Sequence, residues 1–273
     1  MHLHHNFINS IDCTPLFQPS VLKVALIDVA LVFLFMTAFF LVAYLRKRID
    51  SVDIAWGLGF VLIAVATALH RPSFRSYVIA LLVAVWGVRL AVHIGLRARG
   101  KKEDPRYIEL TKKWKGNYWL RAYLSIFLTQ GLLMLAVASP IIVASGPANL
   151  DWQWLTLAGA YIWAIGFAFE AIADMQLANY LKDKKRPKVL KTGLWKYSRH
   201  PNYFGELAQW WGIGIIALQA KWGFVGLIGP LLISYLIIFV SGIPPIEKRR
   251  AKDAEYREYQ KTTSALVPLP PKK

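Results

Sequence analysis

The residues Lys196-Tyr197-Ser198-Arg199-His200-Pro201-Asn202-Tyr203-Phe204-Gly205-Glu206 bring charge, aromatic rings and helix-start chemistry into one short stretch. Pro201 suits the first position of a helix, where its missing N–H is not needed. His200 precedes a proline, is biased to extended backbone, and belongs to the entering loop. Asn202 and Glu206 lie four apart and share one helix face, which Gln209 extends. Free N–H groups at such a helix start, with Arg199 beside them, suit a phosphate. A capped helix with a basic flank explains the same residues without any ligand. The stretch alone does not choose between the two.

The elements that carry these residues follow from composition. The chain has 273 residues, a net charge of +17, and is 56% hydrophobic. A soluble basic nucleic-acid binder would not be this apolar, so no nucleic-acid partner is expected; a membrane protein with basic loops fits. Apolar runs long enough to cross a bilayer occur near 24–45, 52–69, 76–96, 119–143, 152–181, 202–218 and 222–243. These predict an all-α integral membrane protein of seven helices. Basic residues cluster after the first run, at 97–121, at 182–199 and beyond 248. The positive-inside rule puts those clusters in the cytosol, the N-terminus outside and the C-terminus inside. Residues 1–20 hold His2, His4 and His5, lack an apolar core, and read as a disordered tail rather than a signal peptide. Residues 21–273 read as one membrane domain, with an interfacial helix over 247–259 stopped by Pro268, Pro270 and Pro271. The single cysteine, Cys13, excludes an intrachain disulfide.

Ionisable groups inside a bilayer are costly and are functional candidates by default. On the predicted helices, Asp53, Arg89, His93, Glu170, Asp174, Asn202 and Glu206 all fall in the cytosolic half, with Gln130 nearer mid-depth. The outer half holds few such groups, notably Asp28 and Gln219. Snorkelling alone would populate both ends, so the pattern predicts a polar cavity open to the cytosol. Glu170 and Asp174 form an i, i+4 pair of like charge, unfavourable unless they share an acceptor role or each pairs with a loop lysine. Few histidines and no cysteine cluster accompany them, so no metal site is expected. Gly212-Ile213-Gly214-Ile215-Ile216-Ala217 fits a loose dinucleotide fingerprint but lies inside a spanning run with no preceding strand, and is rejected. Gly57-Leu58-Gly59 reads as a close helix contact. Trp56 and Trp86 lie within spans, where they could line a cavity for a flat apolar molecule or face lipid.

Several segments together carry a family resemblance. They are Asp53-Ile54-Ala55-Trp56-Gly57, Glu103-Asp104-Pro105-Arg106-Tyr107, Glu170 through Asp174 to Gln176, the segment from Gly193 to Glu206, and the tail from Glu247 to Pro268. The chain resembles the bacterial branch of the steroid 5-alpha-reductase family from Asp53 to Pro271. Arg-His-Pro with the following Tyr and Gly is also shared by membrane isoprenylcysteine and phospholipid methyltransferases. The resemblance implies a seven-helix fold holding NADPH and reducing the 4,5 double bond of 3-oxo-steroids. Asn202 and Glu206 match cofactor-pocket positions on the sixth helix, and Asp174 matches one on the fifth. Glu170 stands where animal members carry asparagine. Asp53 matches the acidic residue facing the substrate ketone. Trp86 stands in place of a helix-three tyrosine; an indole donates a hydrogen bond but delivers no proton, so the proton donor is left open.

The sequence reading is therefore an NADPH-dependent reductase of a steroid-like or other enone lipid, in the bacterial inner membrane, with membrane lipids as its other partners. The expected catalytic residues are Asp53, Trp86 and Arg89, with Arg89 either polarising the ketone or pairing with Asp53. The expected cofactor residues are Glu170, Asp174, Lys182, Tyr197, Arg199, His200, Asn202, Tyr203, Glu206, Lys248 and Arg249. Trp56, His93 and Gln130 are expected at the substrate. The rival readings are an S-adenosylmethionine-dependent membrane methyltransferase and a lipid-binding membrane protein without chemistry.

Overall fold

Backbone groups in hydrocarbon must bond within their own segment, so long apolar runs become helices. The computed structural model describes residues 19–148 and 153–272; the expected N-terminal tail, up to residue 18, lies outside them. Helices α1 (Pro19–Arg46), α2 (Val52–His70), α3 (Phe74–Ala98), α4 (Pro105–Thr111) and α5 (Tyr118–Ala122) come first. A π-helical stretch (Tyr123–Leu128) joins α5 to α6 (Thr129–Val137), and α7 (Ser139–Ala144) follows. The rest are α8 (Gln153–Lys182), α9 (Pro201–Ala217), α10 (Ile228–Tyr235), α11 (Ile243–Arg250) and α12 (Ala254–Thr262). Among the described residues there is no strand, only isolated bridges at Ala148–Ala220 and Ser198–Ser264.

Six helical segments are long and apolar enough to cross a membrane: Leu22–Arg46, Val52–His70, Phe74–Ala98, Tyr118–Val137, Gln153–Lys182 and Gly223–Arg250. The chain is thus a multi-pass membrane protein. The expected span absent from these six is the sixth, 202–218, which is α9 and has 17 residues. Its rise of about 26 Å falls short of a hydrocarbon core of about 30 Å.

Two expected elements divide. The predicted helix over 119–143 breaks at Ala138, and α7 begins afresh with Pro140 in its first turn. The predicted interfacial helix is two helices. Asp253 accepts a bond from the Glu255 N–H (2.9 Å) and starts α12 anew, while α11 continues the last span. The C-terminal prolines do not stop α12, which ends at Thr262. They lie in an extended tail that folds back over 197–199, with Arg199 N–H to Ser264 O at 2.9 Å and Leu269 N–H to Tyr197 O at 3.0 Å.

Two glycine contacts set the helix positions that matter for the site. A Cβ on Gly57 would lie 2.6 Å from the Gly87 carbonyl oxygen, so α2 and α3 touch backbone to backbone as the Gly57-Leu58-Gly59 reading expected. A Cβ on Gly205 would lie 2.5 Å from both the Glu170 N and the Gly166 carbonyl oxygen. Alanine at Gly205 would push α8 off α9, and with it the polar side chains these two helices share.

Candidate active site

Two cavities meet at the basic end of the bundle. The inner one, about 230 Å³, is lined by residues of α2, α3, α8 and α9, among them Asp53, Trp56, His93, Glu170, Asp174, Asn202, Tyr203 and Glu206. The outer one, about 440 Å³, is basic: Arg48, Arg97, Lys101, Lys102, Arg106 and Arg249 face Asp50, Asp53 and Asp104. Asp53, Ile94, Arg97, Arg106 and Tyr203 line both, so the two form one cleft.

The inner wall is an ionic knot. Arg89 on α3 pairs with both members of the i, i+4 couple on α8, Glu170 and Asp174, the latter at 3.0 Å. Glu170 also accepts from the Trp86 indole N–H (3.1 Å) and from the Gln209 amide (2.5 Å). The Asn202 amide reaches Asp174 at 3.3 Å. The like-charge pair is thus held together by a shared arginine rather than by the lysines of the following loop. Glu206 lines the cavity and accepts no hydrogen bond from a described residue.

Of the two roles open to Arg89, this removes the pairing with Asp53. Arg89 is committed to α8, and Asp53 is held instead by the short helix α4. The Tyr107 hydroxyl donates to Asp53 Oδ1 at 2.6 Å, and Arg106 donates to Oδ2 at 2.7 Å. The loop before α4 is strapped to the start of α2. Glu103 accepts from the Ile49 N–H (2.6 Å), Asp50 accepts from the Asp104 N–H (3.2 Å), and Arg48 donates to the Lys101 carbonyl (2.8 Å). Burial, with the Asp53 charge next, holds the Tyr107 phenol well above its usual range, so it stays protonated. For Arg106 burial acts downward, but the Asp104 hydrogen bond and the charges of Asp53 and Asp104 outweigh it and raise its pKa. Asp104 is likewise pushed up by burial and pulled further down by its bonds from Arg106.

Other expected site residues divide sharply. Asp53, Trp56, His93, Glu170, Asp174, Asn202, Tyr203 and Glu206 come together at the inner cavity, and Arg249 at the outer one. Trp86 is buried and turned to Glu170, outside the lining. Gln130 on α6 lines neither cavity, nor do Lys182, Tyr197 and Lys248. Arg199 and His200 are built into a second knot. Arg199 grips Glu247 with two nitrogens, each at 3.0 Å, and donates to the Gln260 (3.1 Å) and Thr263 carbonyls. His200 Nε2 meets the same carboxylate at 2.8 Å. The expected phosphate contact of Arg199 is therefore replaced by a clamp on α11 and the tail, because all three guanidinium nitrogens already have acceptors. Arg106 and Arg97 were missed as cleft residues, and Tyr107, which lines neither cavity, as the partner that holds Asp53. The signal for Arg106 and Tyr107 was present in Glu103-Asp104-Pro105-Arg106-Tyr107, which reads as loop charge until α4 folds over Asp53, and Arg97 reads only as part of the basic run 97–121.

The donor set fits a phosphorylated dinucleotide. Arg97, Lys101, Lys102, Arg106 and Arg249 offer charge-assisted bonds at the mouth, and Asp174, Asn202 and Glu206 offer hydroxyl and amide partners within. Among the described residues no group of three or more His, Cys, Asp or Glu could hold a metal ion.

Known proteins bear on this cleft. The chain is 28% identical over 184 residues to an uncharacterized protein of Schizosaccharomyces pombe, covering 57% of this chain and 49% of the relative. It is 28% identical over 122 residues to 3-oxo-5-alpha-steroid 4-dehydrogenase 1 of Mus musculus, and 26% over 124 residues to that of Rattus norvegicus. These cover 43% of this chain in each case, and 45% and 44% of the relatives. The chain spans about half the length of the curated relatives it matches. No solved structure matches it significantly. A family model described as a protein of unknown function (DUF1295) matches residues 39–263, most of the sequence, so the chain belongs to the DUF1295 family.

Proposed function

We propose that this protein is an NADPH-dependent membrane reductase that saturates the C=C bond of an enone lipid, with a 3-oxo-4-ene steroid as the model substrate. The observation that carries the reading is the cleft itself: a basic mouth opening through Arg106 onto buried carboxylates and amides, on a chain similar to 3-oxo-5-alpha-steroid 4-dehydrogenases. In this reading α9 crosses the membrane as a seventh helix, the N-terminus lies outside, and the cleft opens to the cytosol of a bacterial cell.

Bound NADPH supplies a hydride for the β-carbon of the enone. Arg97, Lys101, Lys102, Arg106 and Arg249 hold its phosphates, and Asp174, Asn202 and Glu206 hold the buried end. Exclusion of water is the task of the helices around the inner cavity. The ketone must be polarised where negative charge develops. Asp53 is already a double acceptor, and the Tyr107 hydroxyl has spent its one hydrogen on it, so the donor that faces the cavities at that point is Arg106, which lines both. Hydride at the β-carbon leaves an enolate that takes a proton at the α-carbon; Tyr107 is an acid where Trp86 is not, and its one hydroxyl hydrogen, held by Asp53 outside the cavity lining, passes by way of that carboxyl. Asp53 positions both.

The test uses progesterone or testosterone with NADPH deuterated at its transferable position, and mass spectrometry of the product. Deuterium at C5 of a saturated product is expected, with turnover at least tenfold lower in Tyr107→Phe. Protein that binds NADPH and leaves every 3-oxo-4-ene unreduced overturns the substrate assignment.

A further inference from the structure

At the opposite end of the bundle lies a third cavity, about 500 Å³, that the proposed reaction does not use. It is formed where α2 ends and α3 begins, by the loop after α7, and by the start of α8. His70, Arg71, Ser73, Phe74, Arg75, Gly146, Thr156 and Gln219 are in its wall. Two arginines face this one space, and no carboxylate is among the described residues that line it. Arg75 is 9% exposed; one of its terminal nitrogens donates to the Gly146 carbonyl at 2.8 Å, and its Nε–H is buried without an acceptor. Arg71 buries a terminal N–H group that also has no acceptor.

Buried donors are normally satisfied, and a buried cation without a counter-charge is among the costlier features a fold can hold. Here one buried arginine, Arg75, and one part-buried, Arg71, occur together without a counter-charge among the described residues, beside the N-terminus of a 25-residue helix whose dipole adds positive potential. Phosphate oxygens answer all three at once, and arginine's planar fork suits them. The position is at the ends of two spans, where headgroups lie. Phe74 and Leu69, 68% and 73% exposed, flank the opening and would rest in the acyl region.

We propose that this cavity is an anion site that binds a phosphate group, carried by a phospholipid headgroup or free as inorganic phosphate, through Arg71 and Arg75. The site is independent of the reductase cleft.

The test follows the thermal unfolding midpoint of the full-length protein in neutral detergent during three titrations. The probes are inorganic phosphate, a short-chain phosphatidylglycerol, and a diacylglycerol with the same chains. A saturable rise with phosphatidylglycerol and none with diacylglycerol is expected. A matching rise with inorganic phosphate identifies the phosphate alone as sufficient, and its absence identifies a lipid headgroup. Arg71→Gln should shift saturation to about tenfold higher probe concentration, from loss of one charged hydrogen-bond donor. The Arg71 side chain bonds to no described residue, so this variant keeps the fold's own contacts; Arg75→Lys gives a second reading if needed. Equal saturation by diacylglycerol, no saturable rise with either phosphate compound, or an unchanged Arg71→Gln curve overturns the proposal.

Discussion

Two of the knots in which arginine binds carboxylate, around Glu247 and around Arg89, differ in what surrounds them. Around Glu247 every nearby donor has closed in: Arg199 twice, His200, Tyr256 at 2.7 Å and Gln260 at 2.6 Å. Neither cavity of the cleft touches Glu247. Around Arg89 the same chemistry borders a cavity, and Glu206 stands in the wall beside it without a donor. A polar cluster that is complete in itself holds structure. One that faces a cavity with acceptors to spare is equipped to hold something else.

Breaking each knot should separate these roles. Arg89→Met leaves Glu170 and Asp174 facing each other with no cation between them. A loss of about 3–5 kcal/mol is expected, as for a buried pair robbed of one partner. It should read as a collapse of the monodisperse peak in detergent, and wild-type stability would contradict the knot. Arg199→Met should cost less, about 1.5–3 kcal/mol for lost charged hydrogen bonds, because His200, Tyr256 and Gln260 still donate to Glu247. Its signature is local: faster hydrogen exchange over α12 and the tail, with the inner cavity unchanged. Slow exchange there would show that the tail is held by other contacts.

The same pair of knots shows how far the sequence could be read. Apolar run length located six of the seven expected membrane helices, and the uneven depth of Glu170, Asp174, Asn202 and Glu206 was enough to gather the inner cavity. Glycine spacing at Gly57 anticipated a backbone contact. What run length could not show was which arginine meets which acid. Helix depth brought only Arg89 within reach of Asp53; the partner Asp53 meets, Arg106, is supplied by α4, a seven-residue helix nucleated by Asp104 and Pro105 in what composition marks only as a basic loop. Arg199 misled for a related reason. Beside a helix start it resembles a phosphate ligand, and only the return of the tail, far along the chain, supplies Glu247 and the carbonyls that occupy it.

A smaller effect sharpens the account of α4. Asp104 caps that helix through the Arg106 N–H (2.8 Å) and bonds the Arg106 side chain. Its carboxyl is held below the ordinary range, against the upward push of burial. A depressed folded pKa contributes stability that is present above the ordinary carboxylate value and lost as pH falls through the folded one. The difference in unfolding midpoint between wild type and Asp104→Asn should therefore be present at neutral pH and shrink on acidification through the carboxylate range. A difference that grows in acid would reverse the sign and the explanation.

The central claim is that the open knot, and not the closed one, serves a reduced dinucleotide. The direct measurement is the thermal unfolding midpoint of detergent-purified protein against NADPH and against S-adenosylmethionine, for wild type and for Glu206→Gln. Ligand at about a hundred times its dissociation constant should add about 2.7 kcal/mol of stability. The account predicts a saturable rise with NADPH, none with S-adenosylmethionine, and saturation in a folded Glu206→Gln at about tenfold higher NADPH. Protection by S-adenosylmethionine alone, or a Glu206→Gln curve that overlays the wild type, would contradict it.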